Sequence, residues 1–234
     1  MADDPKRKAG AGSYASPPCM AHEINPGYSD PLGTAAEQAR DVARWRKAER
    51  ARLLAARKAL GVEGLRMASA TLLRQMRAAL DAALGGAQTG TVSFYWPIRS
   101  EPDLRPLMHD LVGSGLRVAL PLVEIRKAPL VFREWTPDTR MIRGDWNIPV
   151  PPPDAPVITP VIAIAPLVGW DNAGYRLGYG GGYFDRTLAT LVPRPFTIGV
   201  GFMSARLDTI YPQPHDIAMD MVVTEAGQQQ IRRK

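Results

Sequence analysis

The chemistry in this sequence is concentrated between Gly174 and Asp185, in the run Gly174-Tyr175-Arg176-Leu177-Gly178-Tyr179-Gly180-Gly181-Gly182-Tyr183-Phe184-Asp185. Four glycines in the five positions 178–182 free the backbone to take positive φ and to bring its N–H groups against a ligand. A helix starting near Tyr183 adds unpaired first-turn N–H groups and a positive dipole end, which suits the segment to phosphate. Arg176 would give the same anion a charge-assisted fork. Asp185, in the first helical turn, offers a carboxylate that could hold Mg²⁺ bridging phosphate oxygens. The segment is not a Walker A loop, because no Lys-Ser/Thr follows the glycines, nor a dinucleotide fingerprint, because Tyr183 stands where the third glycine belongs. A glycine cluster after a strand also serves as a tight turn for close strand–helix packing. The charged residues flanking this one favour a nucleotide or phosphate site instead.

Composition bounds the rest. The chain has 234 residues, 45% hydrophobic and 22% charged, with 29 Lys+Arg against 23 Asp+Glu and a formal net charge of +6. These are the proportions of a globular protein long enough for a sizeable core. The longest uncharged apolar run, Ala155 to Trp170, is broken by Pro156, Pro160 and Pro166 and is too short for a spanning helix. Cys19 is the only cysteine and no apolar signal segment is visible, so a cytoplasmic location is expected. The cations cluster between Arg40 and Arg77, where Arg44, Arg46, Lys47, Arg50, Arg52, Arg57 and Lys58 alternate with Ala and Leu. Such a face can follow a phosphate backbone, bind a polyanion or be solvated. No zinc-finger spacing, aromatic RNA-binding signature or basic heptad supports nucleic acid.

The elements that must position the loop follow from pattern. Residues 1–35 read as a Gly/Pro-rich extension preceding an α/β domain over 36–234; Cys19, His22 and Glu23 within it could bind a metal, but with no second ligand set the packing of the extension across the domain is the stronger reading. Two helices, Thr34 to Leu60 and Glu63 to Leu84, precede the first strand at Thr89–Trp96. A helix at 103–111 and a strand at 117–122 complete a βαβ unit. Weaker strand signals follow near 130–135 and 149–160. The apolar strand Val161–Ala165 leads to the glycine loop, a helix at 183–191, a strand at 196–201 and a final strand at 221–224. Together they predict a three-layer α/β/α fold with a mostly parallel central sheet and two N-terminal helices.

The longer run from Pro166 to Arg186, PLVGWDNAGYRLGYGGGYFDR, closely resembles the signature of the 5-formyltetrahydrofolate cyclo-ligase family, also called methenyltetrahydrofolate synthetases. Supporting matches occur in order: a basic helix at Arg46–Arg57, a strand followed by Glu101, the strand RVALP, and His215-Asp216 through Asp220. The resemblance covers about residues 40–225. It implies ATP-dependent closure of 5-formyltetrahydrofolate to 5,10-methenyltetrahydrofolate, with ATP as co-substrate, Mg²⁺ as cofactor, and release of ADP and phosphate. By the same resemblance, Arg46, Arg50 and Arg176 through Phe184 (Leu177, Gly178, Tyr179, Gly180, Gly181, Gly182, Tyr183) bind ATP. Arg50, Trp96, Glu101, Tyr179, Gly180, Gly181, Gly182 and Tyr183 face the folate, Arg176 and Tyr183 take part in catalysis, and Asp185 and Asp216 hold the metal.

Three positions depart from the family pattern. Arg46 stands where lysine is frequent, Gly181 where some members carry lysine, and Phe184 where tyrosine is common. These changes leave open a paralogue that binds a nucleotide or pterin without this reaction, and the basic helix leaves open a nucleic-acid module. The leading expectation is a monomeric enzyme acting on small molecules, with neither nucleic acid nor membrane as partner.

Overall fold

A computed structural model describes residues 34–87 and 89–231; the readings placed on residues 1–33, Cys19, His22 and Glu23 among them, lie outside the described residues. The chain divides into two units, Met1–Arg52 and Leu53–Lys234. Helix α1 (Thr34–Ala59), free of Gly and Pro, begins in the first unit and ends in the second. Glu37 in its first turn and Arg57 and Lys58 in its last complement the helix dipole. Helix α2 (Gly61–Leu84) follows at once and stops at Gly85, which takes φ 59° and donates its N–H to the Asp81 carbonyl at 3.1 Å.

The second unit is built on a seven-stranded sheet. Its members are β1 (Thr91–Ser93), β2 (Arg117–Leu122), β3 (Val131–Trp135), β6 (Ile162–Pro166), β9 (Phe196–Val200), β11 (Met221–Thr224) and β12 (Gly227–Gln230), in the order β12-β11-β9-β6-β1-β2-β3. The four inner pairings are parallel, and β3 and β12 close the two edges antiparallel. Side-chain alternation sorts the two faces. Val92, Val118, Leu120, Ile162, Ile164, Ile198, Val200, Met221 and Val223 enter a core shared with Leu72, Met76, Ala79 and Leu80 of α2 and Leu107, Met108 and Leu111 of α3 (Arg105–Gly113). Ala165 and Val222 face the other way, into a second core with Leu53 of α1 and Leu188 of α4 (Tyr183–Thr190). Helices thus cover both faces, giving the three-layer α/β/α arrangement that the alternating elements predict.

Strand order decides where a ligand can be met. From β1 the chain adds β2 and β3 to one side, then returns with β6 on the other side of β1 and continues outward through β9 and β11. The switch point lies between β1 and β6, and the C-terminal ends of the strands at such a point are where open α/β sheets receive ligands. Glu101 follows β1, and the glycine loop follows β6.

Several elements differ from expectation for local reasons. The first strand keeps its ladder only through Ser93; Phe94 still donates to the Ala119 carbonyl at 2.9 Å, and the chain then turns at Arg99–Ser100, where Glu101 N donates to the Ile98 carbonyl at 2.9 Å. The Pro-rich stretch contributes only β5 (Pro149–Val150), paired with β4 (Ile142–Arg143), and an isolated bridge from Val157 to Arg133, since prolines cannot donate to a ladder. Strand β12, Gly-Gln-Gln-Gln, lacks the β-branched and aromatic residues that mark strands and pairs as a polar edge after a turn at Thr224–Gly227.

The approach to the glycine loop is a small separate sheet, β10-β7-β8, of β7 (Gly169–Asp171), β8 (Arg176–Leu177) and β10 (Arg206–Leu207). Asp171 organises it. The side chain is buried, with Oδ1 accepting from Ala173 N (3.0 Å) and Tyr175 N (3.1 Å), and Oδ2 from Ile210 N (3.1 Å). Asp171→Ala strands all three donors and is expected to lower unfolding free energy by about 3 kcal/mol or more in urea titration; an unchanged midpoint would show that water replaces the carboxylate there.

Candidate active site

Between β8 and α4 the chain runs through Gly178–Gly182 with little side-chain bulk. Gly180 (φ 96°) and Gly182 (φ 62°) occupy the left-handed region, where other residues pay a steric cost. A Cβ on Gly181 would fall 2.7 Å from the Tyr183 ring. Gly182 leads into α4 with no side-chain cap, so the first-turn N–H groups of an eight-residue helix begin where the glycines end. This is the backbone the sequence calls for in an anion site.

The two ends of the loop are joined by charge. Arg176, on β8, has a side chain only 5% exposed, and its Nη1 donates to Asp185 Oδ1 at 3.0 Å. The guanidinium also lies 5.1 Å from the Phe184 ring centroid. Burial pulls the Arg176 pKa down and the Asp185 charge pulls it up; an arginine stays protonated under both influences. Asp185 Oδ1 accepts a second bond, from Ile217 N at 3.1 Å, which carries the Asp216 segment to the same place. The Asp216 charge acts on Arg176, and its Oδ2 accepts from Gln213 N at 2.6 Å.

A second cluster lies at the end of β1. Glu101 is 4% exposed, and its carboxylate accepts from Ile98 N (2.9 Å, Oε2) and from the Tyr179 hydroxyl (2.8 Å, Oε1). Burial pushes the Glu101 carboxyl above the ordinary carboxylate range, against the opposing pull of the Ile98 and Tyr179 donors and of the Arg57 and Arg99 charges. Tyr179 is raised in turn, by burial first and then by Glu101, so it remains a hydroxyl and a donor. Arg99 stacks over the Tyr179 ring at 5.3 Å. Tyr95, also buried, donates to the Pro102 carbonyl at 2.9 Å and fixes the chain next to Glu101. Glu101 and the glycine loop are thus tied directly, through Tyr179.

The structure brings together Arg176, Phe184, Asp185 and Asp216 in one cluster and Glu101 and Tyr179 in the other, with the loop running between them. Tyr183 opens α4; its hydroxyl accepts from Lys127 N at 3.2 Å, and its ring meets the exposed Trp146 edge-on at 5.6 Å. Trp96 is half-buried against the first core with Arg105 over its ring at 5.3 Å. Arg46 and Arg50 stand one turn apart on α1, in the unit that ends at Arg52. Among the described residues no cluster of three or more His, Cys, Asp or Glu side chains could hold a metal by itself, and no helix is long and apolar enough to cross a membrane. Sequence reasoning missed the roles of Asp171 and Arg57. For Arg57 a signal existed: it stands four residues after Leu53, so the two share a helix face, and both are buried.

An open, mostly parallel sheet with a glycine loop and a buried carboxylate at its switch point defines an α/β protein that meets its ligands at the strand ends. A model of the 5-formyltetrahydrofolate cyclo-ligase family matches residues 42–225. A 5-formyltetrahydrofolate cyclo-ligase of Mycolicibacterium smegmatis is 34% identical over 142 residues, 57% of this chain and 73% of that protein. That of Escherichia coli K12 is 35% identical over 103 residues, 42% of this chain and 57% of its own length. A 5,10-methenyltetrahydrofolate synthetase of Aquifex aeolicus superposes with TM-score 0.68 at 25% identity, covering 81% of this chain and 94% of that one. One from Mycoplasma pneumoniae shares the fold at TM-score 0.63 and 22% identity, covering 77% and 98%. The chain belongs to the 5-formyltetrahydrofolate cyclo-ligase family, and it is a ligase.

Because Arg176 is shut away from water, Asp185→Ala is expected to lower stability by roughly 3–5 kcal/mol in guanidinium unfolding, through the charge left without its partner. Asp185→Asn, which keeps an acceptor for Ile217 N, is expected to cost less. Equal losses in the two variants would assign the effect to packing.

Proposed function

We propose that this protein closes 5-formyltetrahydrofolate to 5,10-methenyltetrahydrofolate at the expense of ATP, with ADP and phosphate released. What carries the reading is the hydrogen bond from Tyr179 to the buried Glu101, because it couples a carboxylate fit for a heterocycle to a loop fit for phosphate. An ionised carboxylate accepts two N–H donors at once, as an aminopyrimidine ring presents them. The glycine loop and the start of α4 offer backbone N–H groups to phosphate oxygens.

The formyl oxygen is a poor leaving group. It attacks the terminal phosphorus of ATP as ADP departs; N10 then adds to the activated formyl carbon, forming the second C–N bond and giving up its proton, and the phosphorylated oxygen leaves as phosphate to generate the methenyl bridge. Such transfer depends on positioning and charge neutralisation, without a protein nucleophile. Arg176 adds positive charge beneath the loop and holds Asp185 at its far end. Arg46 and Arg50, as basic residues on one face of α1, are proposed as ATP ligands, with Arg50 also serving the folate. Trp96 and Tyr183 are proposed to line the substrate, with Tyr183 at the reacting end.

The residues present suit Mg²⁺, which keeps several waters and takes one or two carboxylates together with substrate phosphates. Asp185, whose hydrogen bonds both fall on Oδ1, and the neighbouring Asp216 would be its protein ligands, and the ion would neutralise phosphate charge. A cytoplasmic monomer working on these small molecules, in a domain over 36–234 preceded by an extension, completes the proposal.

The test is ultraviolet absorbance on mixing the protein with 5-formyltetrahydrofolate, ATP and Mg²⁺, since the methenyl product has its own band. Glu101→Gln is expected to raise the KM for 5-formyltetrahydrofolate by roughly 10–100-fold, as expected from losing hydrogen bonds to a charged acceptor, with the KM for ATP little changed. A flat trace from wild-type protein that binds ATP would overturn the assignment.

A further inference from the structure

Arg57 is a buried charged side chain that the site as described leaves unused. It is 5% exposed, in the last turn of α1 and within the same unit as the loop. Its Nη2 donates to the carbonyl of Leu167, just past the end of β6, and its guanidinium lies 5.7 Å from the Phe202 ring centroid, just past the end of β9. Nη1 is buried and has no hydrogen-bond partner among the described residues. A guanidinium kept out of water with a donor unmatched is costly, and folds retain such groups where another charge or a function compensates. Across the switch point, Glu101 follows β1, the strand paired with β6, just past whose end Arg57 is anchored.

We infer that Arg57 is a positioning residue, the buried counter-charge that keeps Glu101 ionised so that its carboxylate can accept the N–H donors of the substrate ring. The inference rests on the folate reading of the site proposed above. Arg57 acts on Glu101, on Tyr179 and on Tyr95 alike, in each case favouring the negative form. The Ile98 N–H and the Tyr179 hydroxyl also favour the charged Glu101, as does Arg99 on the exposed loop, and the Asp103 charge opposes ionisation of Tyr95. Of the two cations, only Arg57 is buried, where water screens least. Burial raises the Glu101 pKa, and a substrate that needs the anion loses affinity as pH falls through that raised value. Removing the Arg57 charge raises it further and moves the acid limb toward neutral pH.

The test uses the full chain and two readouts. The first is a carbon-13 carboxyl titration of labelled glutamates, with the Glu101 signal assigned by its absence in Glu101→Gln. The second is equilibrium binding of 5-formyltetrahydrofolate against pH. Arg57→Gln, which retains a donor for the Leu167 carbonyl, is expected to titrate Glu101 at higher pH than wild type. It should also weaken binding on the acid side of the Glu101 midpoint, by about tenfold for one unit of displacement, and recover as pH rises above that midpoint. Arg57→Lys keeps the charge and is expected to restore both the midpoint and the affinity. If Arg57→Gln fails to fold by circular dichroism, Arg57→Met replaces it. A midpoint unmoved in the folded neutral variant overturns the inference, as does a loss of affinity that is the same at every pH or equal in the lysine variant. A midpoint that moves while wild-type protein binds no 5-formyltetrahydrofolate at any pH would instead sink the folate reading and leave the Arg57–Glu101 coupling standing.

Discussion

Arg176 and Asp185 sit at the two ends of a segment whose middle has almost no side chains with which to hold itself. Glycines let the backbone approach a ligand, and they also leave it many other conformations. The ion pair removes that freedom at the boundaries: Arg176 is fixed in β8, Asp185 in the first turn of α4, and the pair closes over the loop between them. Ile217 N extends the same carboxylate to a third segment, and Asp171 does similar work upstream by satisfying two backbone donors of the β7–β8 turn and Ile210 N beyond β10. Permissive backbone between fixed flanks is what a phosphate-binding loop requires.

The layered fold was legible because period-2 and period-3.6 patterns survive in the long elements. The α2 positions Leu72, Met76, Ala79 and Leu80 and the β6 alternation Ile162–Ile164 are burial patterns that any core would impose. The edge strand β12 was illegible because its glutamines carry no strand-type pattern; they pair with β11 through the backbone, and the Gln228 and Gln229 side-chain amides donate to the Gln75 and Asn172 carbonyls. The loop itself was legible from glycine density and flanking charge. Its partners were not, since Ile98 N, Tyr95 and Ile217 N contribute through tertiary geometry that has no spacing in the chain. Arg57 was hidden among cations: a buried arginine in a basic helix, as Arg46 and Arg57 both are, looks in sequence like its exposed neighbours.

The end of β1 illustrates a conflict between stability and binding. Glu101 is held in a place that resists its charge, and the fold answers with a backbone N–H, a tyrosine hydroxyl and two arginines. Apolar residues of similar volume would suit that position better for folding alone. On the proposed reading of the site, the carboxylate is tolerated because the same burial that penalises it strengthens its hydrogen bonds to a ring placed against it. Tyr179 makes the compromise cooperative: an exposed loop residue with its hydroxyl committed to Glu101 lets the state of one cluster be felt by the other.

The strand order also has a consequence in time. Val92 of β1 pairs with Val118 of β2 after a short helical crossover, yet it pairs with Ile162 of β6 only after everything between them has been accommodated. Contacts that close long stretches of chain carry the larger entropic penalty and form slowly. The strand ends that carry Glu101 on one side and Leu167 on the other meet only when that distant pairing closes. A chain that has collapsed but has not yet joined β6 to β1 would have its helices and its hairpins and still have no place for a ligand, so ligand capture reports completion of the sheet.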